Sequence, residues 1–85
     1  DGLRMADTIV AMSATADVAA ERFEPHRDRL FGVAYRMTGS VADAEDCVQE
    51  AFVRWQRTDI GAVDHDEAFL VRTVSRLAID RQRQD

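Results

Sequence analysis

The chain has 85 residues, of which 46% are hydrophobic and 32% charged, and this balance predicts one small folded domain, or a piece of one, rather than a disordered chain. Its net charge of −5 argues against a protein that binds nucleic acid strongly and without regard to sequence. No apolar run approaches the roughly 20 residues that cross a bilayer, and the single cysteine excludes an internal disulfide bond, so we expect a protein of the reducing cytoplasm with no membrane contact.

The N-terminal stretch DGLRMADTIVAMSATADV, residues 1–18, has no clear periodicity. It predicts a leader or tail that frays or forms a short helix and carries no chemistry. Residues 19–85 are predicted to form the helical domain, because apolar side chains recur at helical spacing from Ala19 onward.

The first long helix is predicted to run from about Phe23 to Thr38. Its start is set by Pro25, which is tolerated only in the first turn of a helix. Gly39 is expected to end the helix in a left-handed conformation, and Ser40 to cap the next one.

Two further helices follow in the predicted order. The second covers about Val41 to Arg57, and the segment Thr58 to His65 has no period and is predicted to be a loop. Asp66 is expected to cap a third helix that runs from Glu67 to about Gln82. The predicted core positions are Phe23, Leu30, Val33, Ala34, Met37, Val41, Ala44, Cys47, Val48, Ala51, Phe52, Trp55, Leu70, Val71, Val74, Leu77 and Ala78. No stretch alternates like a strand, so the predicted fold is all-α, a compact bundle of three main helices.

The outer side of the second helix carries Asp43, Asp46, Gln49, Glu50 and Val53, which we call the acidic face. A metal site is disfavoured because these carboxylates follow one straight helix, whereas hard cations need converging oxygens. Acid–base hydrolysis is disfavoured because no opposing wall supplies a second carboxylate. A solvated helix face and a docking surface with a polar rim both remain open, and Val53 among polar groups favours the second.

The outer side of the third helix is basic. Arg72, Arg76 and Arg83, which we call the arginine row, share one arc, with Phe69 beside them. Such a row could follow a phosphate backbone while a base stacks on the ring. It could equally be a solvated face with ion pairs such as Arg76 to Asp80, and Phe69 could belong to the core.

Other chemistry-bearing residues form no constellation. His26 and His65 have no partner at catalytic or ligand spacing, and Cys47 is predicted to be a small core residue. There is no glycine-rich phosphate loop and no Ser/His/Asp set, so we expect no enzyme activity, no metal and no cofactor.

The stretch FEPHRDRLFGVAYRMTGSVADAEDCVQEAFVRW, followed by EAFLVRTVSRLAIDRQR, resembles region 2 of bacterial sigma factors, in particular the extracytoplasmic function (ECF) group of the sigma-70 family. The resemblance covers about residues 22–84, and DAEDCVQEAF is its most specific part. It implies a domain that docks on the clamp helices of the core RNA polymerase β′ subunit and that recognises and melts the promoter −10 element in transcription initiation.

Carried over to this sequence, the resemblance implies polymerase binding by the acidic face. It implies that the segment Thr58 to Asp66 and the third helix hold a flipped base of the single-stranded non-template strand. The implied DNA-binding residues are Phe69, Arg72, Arg76, Asp80 and Arg83. This sequence departs from many relatives, which have Pro near the position of Asp66, Trp in place of Phe69 and an apolar residue in place of Gln82. The resemblance therefore does not tell which promoter sequence is preferred.

The resemblance leaves open whether an anti-sigma factor binds. Complete members of the family carry a second DNA-binding domain for the −35 element, and we expect these 85 residues alone to bind promoter DNA weakly. The rival hypothesis from the residues is a helical protein-interaction module that binds a regulator through the acidic face without contacting DNA.

Overall fold

The computed structural model describes residues 17–83, and its regular elements there are all helical. Residues 17–23 form the described part of α1, and the main helices are α2 (Arg27–Thr38), α3 (Val41–Arg57) and α4 (Asp66–Arg83), with 3₁₀ turns at Glu24–His26 and Ile60–Ala62. Each of the three main helices packs against the other two. The predicted all-α bundle of three main helices is therefore confirmed. The predicted tail lies outside the described residues, except for its last two positions.

The first long helix does not begin at Phe23 as predicted. Residues 17–23 are already helical, and Pro25 lies in the 3₁₀ turn that separates them from α2. A proline at the start of such a turn loses no hydrogen bond, because the N–H that it lacks would have no partner there. The chain can therefore be helical on both sides of Pro25, and the first long helix begins at Arg27.

The connection between α2 and α3 is the two-residue turn that the sequence predicts. Gly39 has a φ of 69°, in the left-handed region that favours glycine, and its N–H donates to the carbonyl oxygen of Tyr35 at 2.8 Å. Ser40 is the N-cap of α3, and its Oγ accepts from the backbone N–H of Asp43 at 3.2 Å. These two residues turn the chain and fix where α3 begins.

The start of α4 differs from the prediction by one residue. Asp66 is the first residue of the helix rather than its cap. Its carboxylate accepts two hydrogen bonds from Arg22 instead of one from the helix backbone. A bidentate arginine partner holds a carboxylate more strongly than a single backbone N–H, and this explains the changed role.

The core consists of side chains from all four helices. Its fully buried members are Ala19, Phe23, Leu30, Ala34, Ala44, Cys47, Val48, Ala51, Trp55, Leu70, Val74, Leu77 and Ala78. Of the other predicted core residues, Val33, Met37, Phe52 and Val71 are half-buried and pack against this cluster. Val41 was predicted wrongly, since it is 54% exposed. It is the first residue of α3 and lies at the edge of the bundle, where no helix of residues 17–83 covers it.

Trp55 is the largest fully buried side chain and joins α1 to the bundle. Its indole Nε1 donates to the carbonyl oxygen of Ala19 at 2.8 Å, and the guanidinium of Arg22 lies over its ring at 5.4 Å. Phe23 adds an edge-to-face contact with Phe52, with ring centroids 4.9 Å apart. Residues 17–23 are thus part of the folded unit. None of the helices described for residues 17–83 combines the length and the hydropathy that a membrane span requires.

Candidate functional site

The acidic face lies along the outer side of α3. Asp46, Gln49 and Glu50 are exposed, Asp43 is half-buried, and Val53 is 42% exposed. The opposite side of the helix contributes five buried residues to the core, so the packing fixes which side chains point outward. The sequence periodicity therefore located this surface correctly. It presents one apolar side chain within a polar surround.

The carboxylates of this face are already engaged with arginines. Arg81 of α4 reaches Asp43 with Nη1 at 3.2 Å and Asp46 with Nη2 at 3.3 Å. Arg54 pairs with Glu50 one turn away at 3.5 Å. The acidic face is thus a surface on which carboxylates alternate with arginines, rather than one that carries negative charge alone. The sequence did not predict the contacts of Arg81, because no local pattern links Arg81 to Asp43, which lies 38 positions before it.

The arginine row lies along the exposed side of α4. Arg72, Arg76 and Arg83 are all exposed, and none has a carboxylate partner within 4 Å among residues 17–83. The ion pair between Arg76 and Asp80 that the spacing allows is not formed, although Asp80 is exposed on the same helix. These guanidinium groups are therefore available to an external anion.

A groove of about 370 Å³ lies between α3 and the arginine row. Phe69 is half-buried in it, with its ring centroid 5.7 Å from that of Trp55. Its ring thus packs on the core and also lines the groove, while the base stacking expected of it stays a prediction. The lining residues are Arg54, Thr58, Phe69, Arg72, Thr73 and Arg76. Three guanidinium groups beside an aromatic ring suit a nucleotide, which has both a phosphate and a flat base.

A second cavity, of about 340 Å³, shares Phe69 and Arg72 with this groove. Its remaining walls are Ala62, Val63, Asp64, His65 and Ala68, most of which belong to the α3–α4 loop (Thr58–His65). The structure thus brings the loop, Phe69 and Arg72 together. Asp80 and Arg83 line neither cavity and lie farther along α4.

Arg22 holds the end of the α3–α4 loop. Its Nε donates to Oδ2 of Asp66 at 2.9 Å, and its Nη2 donates to Oδ1 of Asp66 at 2.5 Å and to the carbonyl oxygen of Val63 at 3.3 Å. The hydrogen bonds from Arg22 lower the pKa of Asp66 below its ordinary 3.8. Sequence reasoning missed this residue, which is separated from Asp66 by 44 positions.

Two histidines and one cysteine are the other chemistry-bearing residues that the sequence singled out. His26 and His65, far apart in the sequence, line one surface cavity of about 640 Å³ together with Arg22 and Asp66. Across residues 17–83, no three His, Cys, Asp or Glu side chains are placed to hold a metal ion. Cys47 is fully buried as predicted, and burial raises the pKa of its thiol, which makes the thiol a poor nucleophile.

Gln82 is exposed near the end of α4. Its side-chain amide donates to the carbonyl oxygen of Met37 in the last turn of α2. A polar residue is therefore useful here, because it satisfies a carbonyl group that the end of a helix leaves without an internal partner.

Comparison with known proteins assigns residues 22–85 to the Sigma-70 region 2 family. The ECF RNA polymerase sigma factor SigJ of Mycobacterium tuberculosis is 52% identical over 61 residues, which cover 72% of this chain and 19% of that protein. The probable ECF RNA polymerase sigma factor SigI of the same species is 39% identical over 75% of this chain and 22% of its own length. The ECF RNA polymerase sigma factor SigW of Bacillus subtilis is 37% identical over 80% of this chain and 37% of its own length.

The chain therefore spans about a fifth to just over a third of the length of these relatives. No solved structure matches it.

Proposed function

Because this chain belongs to the sigma-70 region 2 family, as the region 2 domain of an ECF sigma factor, we propose that it binds core RNA polymerase and promoter DNA in transcription initiation. The relatives are named as RNA polymerase sigma factors, and the family match covers most of the chain. The proposed role is one of binding rather than catalysis, and its place is the cytoplasm, where bacterial RNA polymerase works.

The polymerase contact is assigned to the acidic face, with the β′ clamp helices as its partner. Support comes from the exposure of Val53 and of its polar neighbours along one straight helix. A helix with a small apolar centre and charged flanks suits a partner helix that carries opposite charges. The arginines that already pair with Asp46 and Glu50 hold these carboxylates in place, so the partner meets an ordered surface.

The DNA contact is assigned to the arginine row, Phe69, Asp80 and the α3–α4 loop, with the single-stranded non-template strand of the −10 element as the ligand. The observation that carries it is the pair Arg72 and Arg76, which have no carboxylate partner among residues 17–83 and lie beside the half-buried ring of Phe69. Phosphates can bind the guanidinium groups while an extruded base stacks on the ring or enters the cavity beside it.

A binding assay tests the polymerase contact. Asp46→Arg and Glu50→Arg should each abolish pull-down of a β′ clamp-helix fragment while the helical circular-dichroism signal stays intact. Asp59→Arg is the matched control, because it reverses a charge outside α3 and should leave the pull-down unchanged. Equal capture of the wild type and both α3 variants would remove the assignment.

A second assay separates this function from its rival. The chain should bind single-stranded DNA of random sequence at low salt, and Arg72→Ala combined with Arg76→Ala should weaken that binding strongly. If the clamp-helix fragment is captured but no single-stranded DNA binds, the chain is a protein-interaction module without DNA contact, and the proposed DNA role fails.

A further inference from the structure

Arg22 contacts three parts of the molecule at once. Its guanidinium binds the carboxylate of Asp66 at the start of α4 and the carbonyl oxygen of Val63 in the α3–α4 loop. Its central guanidinium carbon, Cζ, lies over the ring of Trp55, 5.4 Å from the ring centroid. The side chain is only 30% exposed, so these contacts occupy most of it. Arg22 therefore fixes the end of the loop against both α4 and the core.

These contacts connect Arg22 to two residues that line the cavity beside the loop. Val63 lines that cavity and accepts a hydrogen bond from Arg22. Phe69 also lines it and packs on the Trp55 ring over which Arg22 lies, with the centroids of the two aromatic rings 5.7 Å apart. A change at Arg22 would thus move the loop relative to Phe69 without removing any group that lines the cavity.

We infer that Arg22 is a positioning residue for base recognition, which holds the α3–α4 loop and Phe69 at the separation that a flipped base requires. The inference rests on the proposed DNA-binding function and adds to it a residue of α1 that need not touch DNA. A binding site discriminates between similar ligands only when its walls are held in place by surrounding contacts. A single bidentate arginine with a third bond to the loop backbone provides such a support.

Base preference is the readout that separates positioning from a general loss of stability. A destabilised protein has a smaller folded fraction, which lowers the binding of all sequences equally. A displaced loop instead lowers the preference for one base over another. Phosphate contacts by Arg72 and Arg76 would persist in either case, so the salt dependence of binding should not change.

The test is selection from random-sequence single-stranded DNA by the wild-type chain and by Arg22→Gln, Arg22→Lys and Asp66→Asn. All variants are first checked for folding by circular dichroism. We expect Arg22→Gln to reduce the enrichment of the preferred bases by about fivefold, the factor that corresponds to about one hydrogen bond. Arg22→Lys keeps the charge next to Asp66 and should restore part of the preference. Asp66→Asn tests the same contact if Arg22→Gln does not fold.

The outcomes distinguish this inference from the function on which it rests. If folded Arg22→Gln selects the same bases with the same enrichment as the wild type, Arg22 has no positioning role, and the DNA-binding function stands. If the wild-type chain itself binds no single-stranded DNA, the proposed DNA function fails and the inference fails with it. Loss of base preference at an unchanged salt dependence supports the inference.

Discussion

The indole Nε1 of Trp55 donates a hydrogen bond to the carbonyl oxygen of Ala19 inside the bundle, at a distance of 2.8 Å. Both residues are buried, so water cannot replace either partner. The bond joins α3 to the helical residues that precede Pro25. The segment before the first long helix is thus held by a buried polar contact as well as by apolar packing.

Trp55→Phe should therefore destabilise the domain by about 1–3 kcal/mol, because it removes the donor and leaves space where the larger ring was. Urea unfolding followed by circular dichroism measures the change in the free energy of unfolding. Tyr35→Phe is the control, since Tyr35 is 45% exposed and should cost much less. Equal stabilities of the two variants would contradict the role assigned to this hydrogen bond.

Arg81 should be coupled energetically to the acidic face. A double-mutant cycle of Arg81→Ala with Asp46→Asn should give a coupling energy of about 0.5 kcal/mol, because the pair is partly exposed and water screens it. The same cycle with Arg83→Ala should give a value near zero, since Arg83 has no carboxylate partner among the described residues. A zero coupling for Arg81 as well would mean that the contact contributes nothing in solution.

The contact between Arg22 and Asp66 predicts a loss of stability in acid. The pKa of Asp66 in the folded protein is lower than its ordinary value of 3.8, so the folded state binds its proton more weakly than the unfolded state does. The stability from this group is therefore fully present at about pH 5 and above, and it is lost as the pH falls through the lowered pKa. Asp66→Asn should be less stable than the wild type at neutral pH, and the difference should shrink below pH 3.8.

Urea titrations of both proteins over a series of pH values check this prediction. Asp59→Asn is the matched control, because Asp59 is exposed and forms no ion pair within the described part of the chain. A difference between the wild type and Asp66→Asn that stays constant into acid would show that the charge of Asp66 is not its cause.

The phosphate contacts proposed for the arginine row predict a change in the salt dependence of DNA binding. For single-stranded DNA, the slope of log affinity against log salt changes by about 0.7 for each phosphate that an arginine no longer binds. Arg72→Ala combined with Arg76→Ala should therefore make the slope shallower by about 1.4, as measured by fluorescence anisotropy. Arg29→Ala combined with Arg36→Ala removes two exposed arginines of α2 and should leave the slope unchanged.

Features that depend on local spacing could be predicted from the sequence. The outward position of Asp46 and Arg76 follows from helical periodicity, and the turn at Gly39 follows from the freedom of glycine to take a positive φ. Contacts between distant residues could not be predicted in this way. Nothing in the neighbourhood of Arg22 points to Asp66, since that pairing exists only after α1 and α4 have packed on Trp55.

The predictions also failed at positions on the edge of the core. Val41 has the correct spacing for the core, but periodicity does not tell where a bundle ends. Phe69 falls between the core arc and the arginine row, and its ring both packs on Trp55 and lines the groove. Its role in binding a base stays a prediction.

The two faces of α4 constrain how this helix can vary. Arg76 lines the groove while Arg81, five positions later, reaches Asp43 and Asp46 on α3. Each residue of a helix is rotated by about 100° from the one before it. An insertion or deletion of a single residue between Arg76 and Arg81 would turn one face away from its partner while the other stayed in place. The length of this stretch should therefore be held constant in related chains, even where its exposed side chains differ.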